Sequence, residues 1–79
     1  MASERQRQAA WDRIEPHIAD SIAGHRALAK MNQTDLAEAT GLSQGQISSF
    51  ETGARLPQLQ SVWRLCNAFE ISATELLGF

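Results

Sequence analysis

The chain has little cysteine, little basic charge and no long apolar run. Its 79 residues include one cysteine, Cys66, which excludes an internal disulfide. This cysteine stands within an apolar helical pattern, which indicates a buried thiol rather than a reactive one. No run of 18 apolar residues occurs, so we expect no membrane-spanning helix. The opening residues, MASERQRQAAWDR, have no apolar signal core. We therefore expect no secretion and a cytoplasmic protein.

Motifs of catalytic and metal sites are also missing from the sequence. We find no Cys/His pair at metal-ligand spacing, no glycine-rich loop that would cradle phosphates and no nucleophile–base set. We therefore expect no enzyme activity, no metal and no cofactor. His25 lies near an apolar stripe, and we expect it to be a partly buried packing residue because no second ligand stands at metal spacing.

The apolar pattern predicts one all-helical domain, without repeats or strand-like alternation. Residues 3–14 are polar and form either a helix or a frayed arm. Pro16 predicts a helix break or a first-turn position. A helix over 17–30 is expected from an apolar stripe at helical spacing, which consists of Ile14, Ile18, Ile22 and Ala29.

The C-terminal part of the chain predicts two further helices. A loop with glycine and proline over 52–57 separates them from the central segment. The first carries the apolar stripe Leu59, Val62, Leu65, Cys66 and Phe69. The second is short, opens with a capping box over 72–75 and buries Leu76 and Leu77.

The central segment, QTDLAEATGLSQGQISSFETG at 33–53, carries the most information. Gly41 falls where a first short helix must end, and glycine accepts the left-handed backbone of a helix C-terminus. Leu42 can fill the corner, and Ser43 with Gln46 forms a capping box for a second helix. Two short helices joined by a tight turn are a known means of placing the second helix in the DNA major groove.

The second of these helices has a polar outer face without charge. No residue from Ala39 to Phe50 is charged, although solvated helix faces usually carry Lys and Glu. Once the apolar stripe is buried, the residues left facing outward are Gln44, Gly45, Gln46, Ser48 and Ser49. Glutamine matches the N6/N7 edge of adenine, and serine can bond to either kind of base edge. By itself the helix fits a merely polar surface equally well, but the turn and caps favour DNA recognition.

Residues from about Ile18 to Leu77 resemble the Cro/repressor-type helix-turn-helix domain of the Xre family. The matching string runs from Arg26 through MNQTDLAEATGLSQGQISSFETGARLP to ISATELL, which is roughly three quarters of the chain. The resemblance implies an all-α fold, a compact five-helix lambda-repressor-like domain with a short N-terminal extension. Its expected parts are an extension over 1–16, the domain over 17–79, helix two at about 33–40 and the recognition helix at about 44–51.

The resemblance also implies roles for individual residues. Base contacts are expected from Gln44, Gly45, Gln46 and Ser49. Phosphate contacts are expected from Asn32, Gln33, Ser43, Gly53 and Arg55. A structural ion pair is expected between Arg26 and Glu51, joining helix one to the end of the recognition helix. Many relatives carry Lys or Arg in the recognition helix and the loop after it, whereas this chain has only Arg55 there.

These observations predict a transcriptional regulator, a repressor, that binds a palindromic operator in double-stranded DNA as a homodimer. Glutamines in the recognition helix favour adenine-containing half-sites. The net charge of −2 argues against strong nonspecific binding, so affinity would depend on dimerisation. Positions ahead of Ile18 form a dimerisation element, a DNA-contacting arm or an ordered tail.

The alternative is a protein-interaction or antitoxin module of the same fold, whose main partner is another protein such as a toxin. The acidic balance and two tryptophans, Trp11 and Trp63, motivate it. Each tryptophan either caps the core or marks a partner contact, and Phe79 can join such a surface.

Overall fold

The computed structural model describes residues 3–79, and these residues form five α-helices and no strand. The helices are α1 (Glu4–Leu28), α2 (Gln33–Thr40), α3 (Gln44–Thr52), α4 (Leu59–Phe69) and α5 (Ala73–Leu77). The predicted all-α, five-helix fold is confirmed. α2 has the predicted bounds, and α3 runs one residue past its predicted end. The first two residues of the predicted extension over 1–16 lie outside the described residues.

α1 is longer than predicted, because it begins at Glu4 and continues through Pro16. The expectation that Pro16 ends a helix or stands in its first turn is wrong. Ser3 and Gln6 form a capping box that starts the helix. Pro16 is exposed, so the carbonyl of Asp12 that it cannot bond faces water rather than an apolar core. That residues 1–16 act as a separate unit stays a prediction.

One apolar core joins all five helices. Each helix contributes one side chain with no exposed surface, and these are Ile22, Leu36, Ile47, Leu65 and Leu76. Two members of the predicted stripes are exposed instead, which corrects those assignments. Ala29 lies just past the end of α1, and Leu59 is the first residue of α4. Leu77 is half-buried, and the capping box predicted over 72–75 has only one of its two hydrogen bonds.

Cys66 and His25 have the environments that the sequence predicts. Cys66 is buried, and burial, with a smaller contribution from the charge of Glu75, raises the pKa of its thiol. His25 is half-buried, with its ring centroid 5.7 Å from that of Phe69. Both side chains therefore contribute to packing.

The turn between α2 and α3 is fixed by hydrogen bonds around Thr40. The buried Thr40 hydroxyl donates to the Leu36 carbonyl at 2.7 Å and accepts from the Leu42 amide at 3.2 Å. Arg64, from α4, donates to the Thr40 carbonyl at 2.8 Å. Gly41 follows with a φ of 76°, in the left-handed region. The hydrogen bonds of Thr40 to Leu36, Leu42 and Arg64 thus hold the end of α2 and the start of the turn in place.

Two glycine-to-alanine changes should have opposite effects on stability. Gly41→Ala should lower the free energy of unfolding by about 1–2 kcal/mol, because φ is left-handed. Its added Cβ would also lie 2.8 Å from Nη1 of Arg64. Gly24→Ala, in α1, should raise the free energy by about 0.5–1 kcal/mol. Nothing lies within 4 Å of a Cβ there. Urea denaturation measures both, and effects of the same sign would contradict this account of the turn.

Candidate nucleic-acid interface

The first turn of α3 is closed by a reciprocal pair of hydrogen bonds. Ser43 Oγ accepts from the Gln46 amide at 3.0 Å, and Gln46 Oε1 accepts from the Ser43 amide at 2.9 Å. This capping box fixes where α3 begins and which face it turns inward. Ile47 and Phe50 are buried on that face.

The opposite face of α3 is polar and uncharged. Gln44, Gly45 and Gln46 are exposed, as the sequence predicts. Ser48 and Ser49 are half-buried, so the prediction that they face fully outward is met only in part. The surface available to a partner is therefore concentrated in the first turn of α3.

A chain of side-chain hydrogen bonds runs from α1 to the first residue of α3. Arg26 Nε and Nη2 donate to the Glu51 carboxylate at 2.6 and 2.9 Å, and Nη1 donates to the Met31 carbonyl at 3.0 Å. Gln33 Nε2 donates to Glu51 Oε1 at 3.2 Å. Gln44 Nε2 then donates to Gln33 Oε1 at 3.0 Å. We call this set of bonds, from Arg26 through Glu51 and Gln33 to Gln44, the Arg26–Gln44 network.

The network is anchored by a carboxylate that is almost out of water. The Glu51 side chain is 8% exposed, and that of Arg26 is 22% exposed. A carboxylate that is almost buried needs an opposite charge and hydrogen-bond donors. Glu51 is paired with the charge of Arg26 and accepts three hydrogen bonds. The hydrogen bond to Glu51 is the main cause of a raised pKa for Arg26, with the charge of Glu51 adding to it. Glu51 therefore favours the charged form of the guanidinium.

The same network joins the N-termini of α2 and α3. Gln33 and Gln44 are the first residues of these helices, and their side chains are bonded to each other. Helix N-termini present free amide N–H groups and partial positive charge, which favour phosphate. The Gln33–Gln44 bond therefore brings together two helix ends of this kind.

The side chains expected to contact phosphate lie at or near the surface, and most of them already make hydrogen bonds within the protein. Asn32 Oδ1 accepts from the Asp35 amide at 2.7 Å, and Ser43 Oγ accepts from the Gln46 amide. Each capping side chain therefore uses its oxygen as an acceptor for its own helix. Gly53 ends α3 with a φ of 80°, and Arg55 is exposed two residues later. Gln33 is half-buried. The structure therefore gathers these residues around the ends of α2 and α3.

The two glutamines of α3 each use one amide atom in a hydrogen bond within the protein. Gln44 uses Nε2 on Gln33, so its Oε1 is free to accept. Gln46 uses Oε1 in the capping box, so its Nε2 is free to donate. Because an amide nitrogen has two N–H donors and an amide oxygen accepts two hydrogen bonds, each glutamine keeps a donor and an acceptor for a paired contact to adenine. The expectation of adenine-containing half-sites stays a prediction.

Sequence reasoning missed two residues beside α3. Gln58 and Ser61 line a polar pocket together with Arg55 and Gln46. Gln58 immediately precedes α4, and its side chain makes no capping hydrogen bond. The sequence signal that could have identified Gln58 is its position immediately before the first residue of a predicted helix. These residues extend the polar surface from α3 to the beginning of α4.

Comparison with known proteins agrees with this geometry. A model of the helix-turn-helix family matches residues 24–76. The chain belongs to this helix-turn-helix family. The resemblance to the Xre type is thereby confirmed, and the α2–turn–α3 unit with α3 as its second helix lies inside the matched range.

One curated relative of this helix-turn-helix chain is a transcriptional repressor, RstR of the cryptic phage CTXphi, from Vibrio cholerae serotype O1. It is 30% identical over 61 residues, which cover 77% of this chain and 54% of that protein. The chain thus spans about half the length of the curated relative it matches. Within residues 3–79, no helix is long and apolar enough to cross a membrane.

Removing Arg26 should destabilise the helix-turn-helix unit through Glu51. In Arg26→Met the Glu51 carboxylate keeps its burial and loses its counter-charge, which should cost about 2–3 kcal/mol of unfolding free energy. This figure is below that of a fully buried pair because Arg26 is partly exposed. Arg13→Met, an exposed arginine of the same helix, is the control and should change stability by less than about 0.5 kcal/mol. Equal losses in urea denaturation would contradict the anchoring role.

Proposed function

We propose that this chain is a DNA-binding transcriptional regulator, a repressor that binds a palindromic operator as a homodimer through α3. The observation that carries the proposal is the Arg26–Gln44 network, which holds the leading side chain of an uncharged helix face. Membership of the helix-turn-helix family supports DNA binding. The relative named as a transcriptional repressor supports the regulatory role.

The network would act by preparing Gln44 before DNA arrives. An exposed glutamine normally loses side-chain entropy when it binds, about 1.5–2 kcal/mol for a full loss of rotamer freedom. Gln44 is already restrained by Gln33, which is restrained by Glu51. Part of that loss therefore occurs on folding, which favours binding of a base edge that fits the restrained geometry.

Specificity would come mainly from neutral contacts. From α3 through Gln58, the only basic side chain is that of Arg55. Proposed phosphate contacts from Asn32, Gln33 and Ser43 are uncharged, and Gly53 offers only its backbone. Counterion release depends on phosphates neutralised by Lys or Arg, so the contribution of nonspecific attraction should be small. Two half-sites about one DNA turn apart, ~34–36 Å, would then be needed for useful affinity.

A salt series tests this proposal directly. Fluorescence anisotropy would follow binding to labelled DNA from upstream of the gene and to a scrambled duplex. We expect saturable binding at nanomolar protein, far tighter than on the scrambled duplex at equal salt. The slope of log K against log salt should be about −2 for a dimer, because each protomer supplies one basic side chain, Arg55, and each phosphate neutralised adds about −0.9. Equal and weak binding to both duplexes would contradict DNA recognition.

Gln44→Ala isolates the proposed base contact. It should reduce the ratio of operator to scrambled affinity by about tenfold or more, since a good base contact discriminates by about 1–3 kcal/mol. The fold should be unaffected, because Gln44 is exposed and bonds only to Gln33. Asn67→Ala, which removes an exposed amide from α4, is the control.

Gln46 is unsuitable for the same test. Its side chain closes the capping box of α3, so Gln46→Ala should also cost about 1 kcal/mol of stability. A loss of discrimination in Gln44→Ala that is matched by Asn67→Ala, or no loss in either, would remove Gln44 from the proposed site.

A second candidate is a protein-interaction module of antitoxin type, with a toxin as partner. The observation that favours it is Trp63, which is 63% exposed on α4, away from the α3 face. Such a surface aromatic residue is typical of protein contacts. Co-purification from the native host would test it. Tight operator binding without a stoichiometric protein partner would contradict it.

A further inference from the structure

Two of the five glycines stand inside helices, where the backbone does not require them. Gly41, Gly53 and Gly78 end helices with φ between 76° and 83°, in the left-handed region that favours glycine. Gly24, in α1, and Gly45, in α3, do not have such a backbone, and both are exposed. Glycine weakens a helix relative to alanine, so neither of these two residues improves the fold.

The space beside Gly45 is open on the face of α3 that the domain leaves free. With 3.6 residues per turn, Gly45 lies opposite the buried Ile47 and Phe50. Outside the two chain neighbours, the nearest heavy atom to a Cβ at this position would be Ser43 Oγ at 3.9 Å, an ordinary contact distance. An alanine would therefore fit the folded chain, and no contact within residues 3–79 accounts for a glycine here.

The two glutamines beside Gly45 have their amide groups held by other partners. Gln44 Nε2 donates to Gln33 Oε1 at 3.0 Å, and Gln46 Oε1 accepts from the Ser43 amide at 2.9 Å. The main chain at Gly45 is thus left bare between two restrained side chains. We call this bare main chain of Gly45 the Gly45 notch.

The chemistry of the Gly45 notch suits an apolar group the size of a methyl. The notch lacks only a Cβ, so its depth is about that of one methyl group, and its floor is the apolar Cα of glycine. Among the base edges in the major groove of unmodified DNA, the C5-methyl of thymine is the apolar group. Thymine pairs with adenine, the base that matches a glutamine amide, so both groups lie on the edge of one base pair.

A DNA phosphate is the other group that approaches the start of a helix. It is bound there by main-chain N–H groups, which an alanine at position 45 would supply equally well. A phosphate therefore gives no reason for a glycine at this position, whereas a methyl group that fills the space of the missing Cβ does.

We propose that the Gly45 notch receives the C5-methyl of a thymine in the operator, which makes Gly45 a specificity-determining residue. The choice of a thymine rests on the proposed function, because it assigns a base to the helix that would enter the major groove. The notch adds a steric contact to the hydrogen bonds of Gln44. Some helical stability of α3 is given up to make room for the base.

Adding a methyl group to the protein and removing one from the DNA tests the notch. Gly45→Ala adds a Cβ, and Gly24→Ala makes the same change in a different surface depression, lined by His17 and Leu28. The DNA upstream of the gene is prepared as two duplexes, one with thymine and one with deoxyuridine at every thymine position. Deoxyuridine lacks the C5-methyl and keeps the base pairing. Fluorescence anisotropy then gives the Kd of the wild type and both variants on each duplex.

The penalty of Gly45→Ala should depend on the DNA methyl groups. On the thymine duplex this variant should bind about tenfold more weakly than the wild type or worse, because two methyl groups would need one space. Deoxyuridine should weaken the wild type and Gly24→Ala alike, by about fourfold for each methyl group that loses its contact. On the deoxyuridine duplex, Gly45→Ala should bind within about threefold of the wild type, since its own methyl group fills the space.

Urea denaturation of the same proteins checks that the fold does not need this glycine. Gly45→Ala and Gly24→Ala should both unfold at a higher urea concentration than the wild type, because alanine favours a helix. A destabilised Gly45→Ala would show that the folded chain itself requires the glycine, and this result would overturn the inference.

Two binding results would also overturn it. One is a Gly45→Ala protein that binds the thymine duplex as tightly as the wild type does. The other is an equal loss on the thymine and deoxyuridine duplexes, which would indicate a close approach to phosphate or sugar instead of a methyl group.

A scrambled thymine duplex separates the notch from the proposed function. If the wild type binds the scrambled and upstream duplexes equally, the proposed function fails and the notch fails with it. If the wild type prefers the upstream duplex while Gly45→Ala gives either of the two contrary results, only the notch fails and DNA recognition stands.

Discussion

The ion pair between Arg26 and Glu51 is the contact on which the candidate interface depends. It joins α1 to the last turn of α3 and places a carboxylate where only paired charge makes burial tolerable. Glu51 in turn holds Gln33, and Gln33 holds Gln44. The exposed first turn of α3 is therefore held in place by hydrogen bonds that lead back to the nearly buried carboxylate of Glu51. This is how a short helix of nine residues, marginal by itself, can present a defined surface.

Most of what could be predicted from the sequence came from residues that cap the ends of helices. Asn32, Gly41 and Ser43 are read from their own neighbours, so α2 and α3 were placed almost to the residue. Contacts that depend on other helices were not accessible in this way. The bond from Arg64 to the Thr40 carbonyl links positions 24 residues apart, and nothing in either local sequence indicates it. The ion pair was anticipated only through family resemblance.

Pro16 and Gln46 illustrate two further limits of sequence reasoning. A proline was expected to end a helix, but exposure makes its missing hydrogen bond tolerable, and exposure is a property of the folded chain. Gln46 was assigned to both a capping box and a base contact. Only the structure reveals that the capping box uses Oε1 of Gln46 as an acceptor and leaves Nε2 without a partner among the described residues. The identity of the site residues was thus easier to predict than the atoms that each has free.

The double use of Gln46 bears on how such a protein could change its preferred DNA over evolution. Gln46 closes the capping box of α3 and, under the proposed function, also faces the operator, so it is constrained twice. Glutamate is the other residue that closes a capping box. Glutamate would bring negative charge towards the phosphates. Under the proposed function, new operator preferences would therefore arise first at Gly45, which has no side chain, and at Ser49, whose hydroxyl makes no hydrogen bond within residues 3–79. Related proteins with different operators would then differ first at these two small residues and would keep the Ser43–Gln46 capping box of α3.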